Sequence, residues 1–223
     1  MAIIQTFGLC RYYSNGTIVK AIDGVNLTIE EGEFTSIVGP SGSGKTTLLN
    51  LIGGIDKPTE GKVILDGLEI SSLPEKKLSE LRLKKIGFVF QSYNLIPVLT
   101  AFENVEFVLI LRGIGKKERR EMVMKVLKEV GLEKLAERPL TKLSGGEQQR
   151  VAVARSIVGE PKIVLADEPT ANLDTENAVA LVELMRKLNK EKGVTFLLST
   201  HDVRVVERTR RVVKLVDGKI AES

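Results

Sequence analysis

The sequence predicts an α/β protein: a mainly parallel sheet with flanking helices, joined to an antiparallel β part and a helical part. Three observations carry this prediction. Gly39-Pro40-Ser41-Gly42-Ser43-Gly44-Lys45-Thr46 sits between an apolar run, Phe34–Val38, and a helical pattern over Thr46–Ile52. That is the strand–loop–helix setting of the phosphate-binding pattern GxxxxGK[ST]. A second apolar run, Ile163–Ala166, ends in Asp167-Glu168-Pro169, as expected of a strand in a parallel sheet covered on both faces. Between them, from Thr100 to Ile157, the apolar spacing turns helical.

Taken in order, Val25–Ile29 alternates apolar and polar residues, as a half-buried strand should. Phe34–Val38 reads as a buried strand and Thr46–Ile52 as the helix after it. Lys62–Leu65 and Leu68–Ile70 flank Asp66-Gly67, a hairpin with a type I′ turn. Ser72-x-x-Glu75 opens a helix ending near Lys85, and Ile86–Phe90 is the next strand. Thr100-x-x-Glu103 is a capping box for the first helix of the helical part. Lys116–Val130 is the second helix, closed by Gly131, and Ser144 starts a third that runs to Val158. Val194–Ser199 is another apolar strand, followed by His201 and a charged helix over Asp202–Glu207. Val212–Val216 and Lys219–Ala221 flank Asp217-Gly218 as a last hairpin. The chain reads as one domain. Its core and antiparallel β part span about residues 1–90 and 159–223, and its helical part about 92–158.

The chemistry follows from these placements. The glycines of Gly39–Thr46 let backbone N–H groups close around the β- and γ-phosphates of a nucleotide; Lys45 adds charge, and the Thr46 hydroxyl can ligate Mg²⁺. Carboxylates at the carboxyl end of a parallel strand face the ligand crevice. Asp167 would hold Mg²⁺ through water there, and Glu168 would orient an attacking water. His201, the single histidine, sits level with Asp167 at the end of its own strand, where a donor reaches a γ-phosphate. Leu143-Ser144-Gly145-Gly146-Glu147-Gln148 is a second glycine-rich cradle. Ser144 caps the following helix, and Glu147 completes a capping box. A helix start with unpaired N–H groups and a positive dipole end suits an anion. Two cradles about 100 residues apart point to two half-sites that share one nucleotide between two subunits.

Composition sets outer bounds. At 43% hydrophobic, 223 residues can bury a substantial core. No apolar run approaches the roughly 18 residues of a membrane helix; Phe107–Leu111 stops at Arg112. No basic start followed by an apolar core marks a signal peptide. One cysteine, Cys10, allows no internal disulfide, which suits a reducing cytosol. The net charge of +4 is mild, and the clusters Lys116–Arg120 and Arg208–Arg211 read as solvated helix faces rather than a nucleic-acid surface.

These motifs, in this order, resemble the nucleotide-binding subunit of ATP-binding-cassette (ABC) transporters over essentially the whole chain. The resemblance implies a P-loop NTPase core with antiparallel β and α-helical subdomains. In it, Gly39, Pro40, Ser41, Gly42, Ser43, Gly44, Lys45, Thr46 and Thr47 are similar to Walker A, and Ile163–Glu168 to Walker B with its catalytic glutamate. Gln91 resembles the glutamine that touches Mg²⁺ and senses the γ-phosphate, and His201 the switch histidine. Ser144, Gly145, Gly146 and Glu147 resemble the signature that reaches the partner's ATP. Ala171-Asn172-Leu173-Asp174 resembles the loop crossing the dimer interface, with Asn172 departing from the commoner Ser-Ala-Leu-Asp. Tyr12 resembles the aromatic that stacks on adenine, with Tyr13 the competing choice.

Phe90–Pro97 and Leu99–Asn104 are similar to the subgroup serving macrolide exporters and lipoprotein-releasing complexes. The resemblance then implies ATP and Mg²⁺ as cofactors, an ATP-induced head-to-tail homodimer, a separate transmembrane permease, and a place on the inner face of the cell membrane. The apolar segment Ser92–Phe102 is the expected permease-facing surface, with Leu95 and Leu99 as its test positions. Two other readings fit the same motifs: an ATPase partner of a non-transporting, cell-division-type protein, and a soluble ABC ATPase acting on nucleic acid. The latter fits poorly, because the interval between the cradles is too short for a long coiled coil.

Overall fold

The computed structural model describes residues 1–14 and 16–222. Two sheets form. In the first, β1 (Ala2–Ser14) pairs antiparallel with β2 (Ile18–Glu30) and β4 (Glu60–Leu65), and β4 pairs with β5 (Leu68–Glu69). The second has the order β10-β9-β3-β8-β7-β6. It contains β3 (Phe34–Val38), β6 (Ile86–Val89), β7 (Ile163–Asp167), β8 (Thr195–Thr200) and β9 (Arg211–Val216), all parallel. The sixth strand, β10 (Lys219–Glu222), is antiparallel at one edge. Both hairpins turn as expected: Asp66 and Gly67 have φ of 48° and 75°, Asp217 and Gly218 46° and 75°. A type I′ turn needs both central residues at positive φ, and Asp-Gly supplies them cheaply.

Strand pleating divides the core in two. Val164, Ala166, Phe196 and Leu198 point to one side, into a cluster with Val105, Leu109, Val123, Leu127, Val151 and Met185. Ile163, Leu165 and Leu197 point to the other, into a cluster with Leu48, Leu51 and Ile52 of α1 (Lys45–Ile52) and the antiparallel sheet. The helices α3 (Ala101–Leu111), α4 (Lys116–Glu129) and α5 (Gly145–Ile157) belong to the first cluster, with α6 (Thr175–Lys192) beside them. Both predicted capping boxes are made. Thr100 and Ser144 each accept from the N–H three residues on, and Glu103 and Glu147 each accept from the cap N–H.

Two expectations change. The helix read from Ser72 begins later, as α2 (Glu75–Lys85), with Pro74 at its cap and no side-chain cap bond. The neighbouring Ser71 hydroxyl instead accepts from the Val63 N–H at 2.6 Å. The strand read as Val25–Ile29 extends to 13 residues, paired with an equally long β1. Register shifts at Thr6/Leu9 and Leu9/Arg11 break the alternation, so a period-2 pattern is visible in only part of either strand.

Register explains where the site forms. Val38 pairs with Thr200, and Asp167 with Ser199. Three neighbouring parallel strands therefore end at one level, and the segments after them leave from one edge, where an open α/β sheet binds ligands.

Candidate functional site

At that edge lies a cleft of about 860 Å³, lined by Lys20, Ala21, Pro40, Ser41, Gly42, Gly44, Lys45, Thr46, Thr47, Gln91, Glu168, Ala171 and His201 among others. The structure thus gathers half of the sequence-predicted residues in one place. Two of the loop's glycines, Gly39 and Gly44, are sterically required. A Cβ on Gly39 would lie 2.1 Å from the Leu215 carbonyl oxygen, and one on Gly44 2.3 Å from that of Ala21. Gly44 also has φ of 103°, a conformation that L side chains rarely adopt. It directly precedes α1, so the first-turn N–H groups of that helix open into the loop.

The Lys45 ammonium donates to the carbonyls of Gly39 at 2.9 Å and Pro40 at 3.1 Å. It lies 3.8 Å from the Glu168 carboxylate. Thr46 Oγ1 donates to both Asp167 oxygens at 3.0 Å, and Ser199 Oγ donates to Asp167 Oδ1 at 2.5 Å. Glu168 has φ of 44°, unusual for a non-glycine residue. Its N–H donates to both the carbonyl and the hydroxyl of Ser199 at 3.1 Å. His201 Nδ1 stands 2.9 Å from Glu168 Oε1. A hydroxyl, a basic carboxylate, a cation and an imidazole therefore converge on one point.

A divalent cation fits this set. Mg²⁺ is held by one or two carboxylates together with substrate phosphates and water, not by an all-protein cage. Thr46 and Asp167 supply one hydroxyl and one carboxylate in mutual contact. Among the described residues, no group of three or more His, Cys, Asp or Glu could hold a metal without help.

The segments around the cleft are held from behind. Asn172 Nδ2 donates to the Gln91 carbonyl at 2.9 Å. Arg155 donates to the carbonyls of Tyr93 and Asn94, residues with φ of 62° and 48°. Buried Asn104 donates to Ile96, Leu99 and Thr100 carbonyls and accepts from the Ile96 N–H, fixing that loop on α3. Leu173 packs against the helical core, while Ala171, Asn172 and Asp174 are exposed. Asp174 caps α6 by accepting from Asn177. Leu95 is half-buried against the same core, whereas Val98 is 89% exposed. Of the loop's apolar side chains, Val98 and not Leu95 is therefore free to meet a partner.

The tyrosines lie outside the cleft lining. Tyr12 pairs directly with Lys20, a cleft residue, whose ammonium is 5.4 Å from the Tyr12 ring centroid. Its hydroxyl donates to Asp23 at 3.1 Å. Hydrogen bonding with Cys10, then burial, then Asp23 push its phenol up. Tyr13 is turned elsewhere, to Arg11 and Asp56.

The second cradle is apart from the first. Ser144 is exposed and absent from the cleft lining. Its Oγ accepts from the Glu147 N–H at 3.3 Å, which leaves the hydroxyl proton free to donate. The Ser144 N–H holds the Glu147 carboxyl below its usual range. Gly145 and Gly146 have no room for a side chain: a Cβ would stand 2.9 Å from the Tyr93 hydroxyl and 2.8 Å from Asn177 Oδ1.

Ser199, Gln149, Asn104 and Arg155 were not singled out from the sequence. Their partners are 31, 59, 8 and 61 positions away or nearby in other elements, so no local motif announces them. Helix α5 also carries Glu147, Gln148, Arg150 and Ser156, so the polarity of Gln149 and Arg155 does not mark them out.

The glycine loop, the acidic strand end and the doubly wound sheet define a P-loop nucleotide hydrolase. The family profile described as ABC transporter matches residues 22–171. An uncharacterized ABC transporter ATP-binding protein of Methanocaldococcus jannaschii is 47% identical over 223 residues, covering 98% of this chain and 95% of the relative. The lipoprotein-releasing system ATP-binding protein LolD of Anaeromyxobacter dehalogenans is 46% identical, covering 97% of this chain and 92% of the relative. The structure is also similar to the dimeric post-hydrolysis ATP-binding cassette MJ0796 bound to ADP and Pi. The TM-score is 0.91 at 44% identity, covering 98% of this chain and 97% of that one. This chain belongs to the ABC transporter family, as its ATP-binding, ATP-hydrolysing subunit. Among the described residues, no helix is long and apolar enough to cross a membrane.

Proposed function

We propose that two copies of this chain pair head-to-tail, each ATP lying between Lys45 of one and Ser144 of the other, and that the closure drives a separate permease. One observation carries this reading. The cleft gathers Lys45, Thr46, Gln91, Glu168 and His201, while the second cradle, Ser144–Glu147, lies outside it with Ser144 exposed. Each chain then offers two halves of different sites. The similar cassette MJ0796 is dimeric.

In the shared site, the Gly39–Thr47 amides and Lys45 balance phosphate charge. Thr46, Asp167 and Gln91 are the residues that would hold Mg²⁺. The bound ion would further neutralise the phosphates. Glu168 takes a proton from water as its oxygen bonds in line to the γ-phosphorus and the bond to the β-phosphate oxygen breaks. His201 orients Glu168 through Nδ1; donation to a phosphate from Nε2 as well needs the imidazolium form. The ring of Tyr12, beside Lys20, stacks on adenine.

The subgroup is that of lipoprotein-releasing and macrolide-exporting systems, as the similarity to LolD supports. The permease seats at the inner membrane face against the 92–102 segment and the adjacent groove of about 450 Å³ floored by Phe88 and Phe90. Val98→Asp should leave ATP binding intact and abolish stimulation by a co-purified permease.

The test of the shared site is complementation. Ser144→Arg removes the partner-facing half, and Lys45→Ala the nucleotide-cradling half. Each variant alone should fail to form an ATP-induced dimer, and an equimolar mixture should regain one intact site per mixed dimer. A mixture that elutes from size exclusion as monomer with ATP refutes the reading.

A further inference from the structure

We infer that Gln149 is a positioning residue that ties the reactive end of each cleft to the partner-facing start of its own α5. The inference rests on the shared-site reading and assigns a route for communication between the two sites.

Gln149 is fully buried on α5, five residues after Ser144. Its Nε2 donates to the Pro169 carbonyl at 2.7 Å and approaches the Phe90 carbonyl at 3.4 Å. Pro169 follows Glu168, and Phe90 precedes Gln91. One amide group therefore touches the peptides beside the two cleft residues that face the γ-phosphate side. Packing alone does not explain it. Its Oε1 is buried without a partner, a standing cost that an apolar side chain of equal length would avoid. What only the amide supplies is the donor to two backbones from different strands.

The surroundings make these contacts stiff. Asn172 holds the Gln91 carbonyl, and Arg155, also on α5, holds those of Tyr93 and Asn94. Glu168 is already at positive φ, pinned by two bonds to Ser199. A helix transmits displacement as a rigid rod, and five residues span only about 7.5 Å. A shift of Ser144 on meeting the partner's nucleotide thus reaches Pro169 and Phe90 with little loss. The expected consequence is that hydrolysis in one cleft depends on occupancy of the other.

The test uses the full chain and its Gln149→Met variant, which keeps length but removes the donor. In the unsubstituted chain, the Hill coefficient for ATP should exceed one. In the variant, kcat should fall at least ten-fold and the Hill coefficient should drop to one, while KM and ADP affinity stay within two-fold. Unchanged kcat and cooperativity overturn the inference, as does a Hill coefficient of one before substitution. A joint loss of KM, ADP affinity and melting temperature shows a packing role only and also overturns it. If Gln149→Met does not fold, Gln149→Glu decides. Its carboxyl donates only when protonated, so kcat relative to the unsubstituted chain should rise from pH 8 to pH 6; a flat ratio overturns the inference. The Ser144→Arg and Lys45→Ala mixture separates the two claims. No restored dimer refutes the shared site itself. A restored dimer with normal Gln149→Met kinetics refutes this inference alone.

Discussion

Replacing Glu168 by glutamine should stop hydrolysis while leaving nucleotide binding in place. The carboxylate is 13% exposed, 2.9 Å from His201 Nδ1 and 3.8 Å from the Lys45 ammonium. An amide fills the same volume, so the strained backbone at φ 44° and its two bonds to Ser199 are kept. What is lost is the base. General-base catalysis contributes roughly 100- to 10,000-fold, which is about 3–5 kcal/mol of barrier. The lost charge acts on binding in the opposite sense. At about 4 Å and an effective dielectric near 20, one charge pair is worth about 4 kcal/mol at most. Freeing Lys45 from that pull leaves ATP affinity equal or tighter. Single-turnover hydrolysis with excess protein measures the first effect, and size exclusion with ATP the second, as an accumulating dimer. A rate within about three-fold of the original would refute the assignment of the base and pass the role to His201. Weakened ATP binding would refute the electrostatic argument.

Lys45→Ala should weaken nucleotide affinity by roughly ten- to one hundred-fold, since a charge-assisted bond contributes about 1.5–3 kcal/mol; calorimetric titration with ADP checks it, and an unchanged affinity would contradict the cradle. Gly44→Ala places a Cβ 2.3 Å from the Ala21 carbonyl at φ 103°; strain of about 1–3 kcal/mol should lower the melting temperature by about 2–10 °C and abolish stabilisation by ADP. Asp202→Asn tests a pH dependence. Arg204 bonds hold the Asp202 carboxyl below its ordinary 3.8, and the carboxylate also caps α7 (Val203–Val206). A lowered folded value means that the stabilisation is present above pH 3.8 and lost as pH falls through the lower folded value. The variant keeps a cap acceptor but loses the charge of the Arg204 pair, worth about 0.2–1 kcal/mol at an exposed site, so it should melt up to about 4 °C lower at pH 7. The gap should narrow as pH falls below 3.8, and a gap unchanged down the acid range would exclude the carboxylate as its source.

Local chemistry was legible in the sequence where one segment supplies both partners of an interaction. The loop Gly39–Thr46, the Asp-Gly hairpins and the boxes at Thr100 and Ser144 are of this kind. The opposite case is Ser72: α2 starts at Glu75 behind Pro74, with no side-chain cap bond. Bulges hid the length of β1 and β2 for a related reason: each register shift inverts which side chains face inward. The site was read as far as strand ends could place it. The strand ends place His201 level with Asp167, but that it touches Glu168 depends on the register of β7 and β8. Ser199 could not be found in advance, because its role exists only once Asp167 lies opposite it.

The six-stranded sheet is a party wall. Side chains from a single strand belong alternately to two cores: Val164 and Ala166 to one, Ile163 and Leu165 to the other. A truncation at Leu127 or Val151 should loosen the helical cluster first. The cleft draws on both compartments, since Lys45 and Thr46 begin a helix of one and Gln149 braces Phe90 and Pro169 from the other. A nucleotide held in the cleft would therefore bridge the two cores, and its hydrolysis would loosen that bridge.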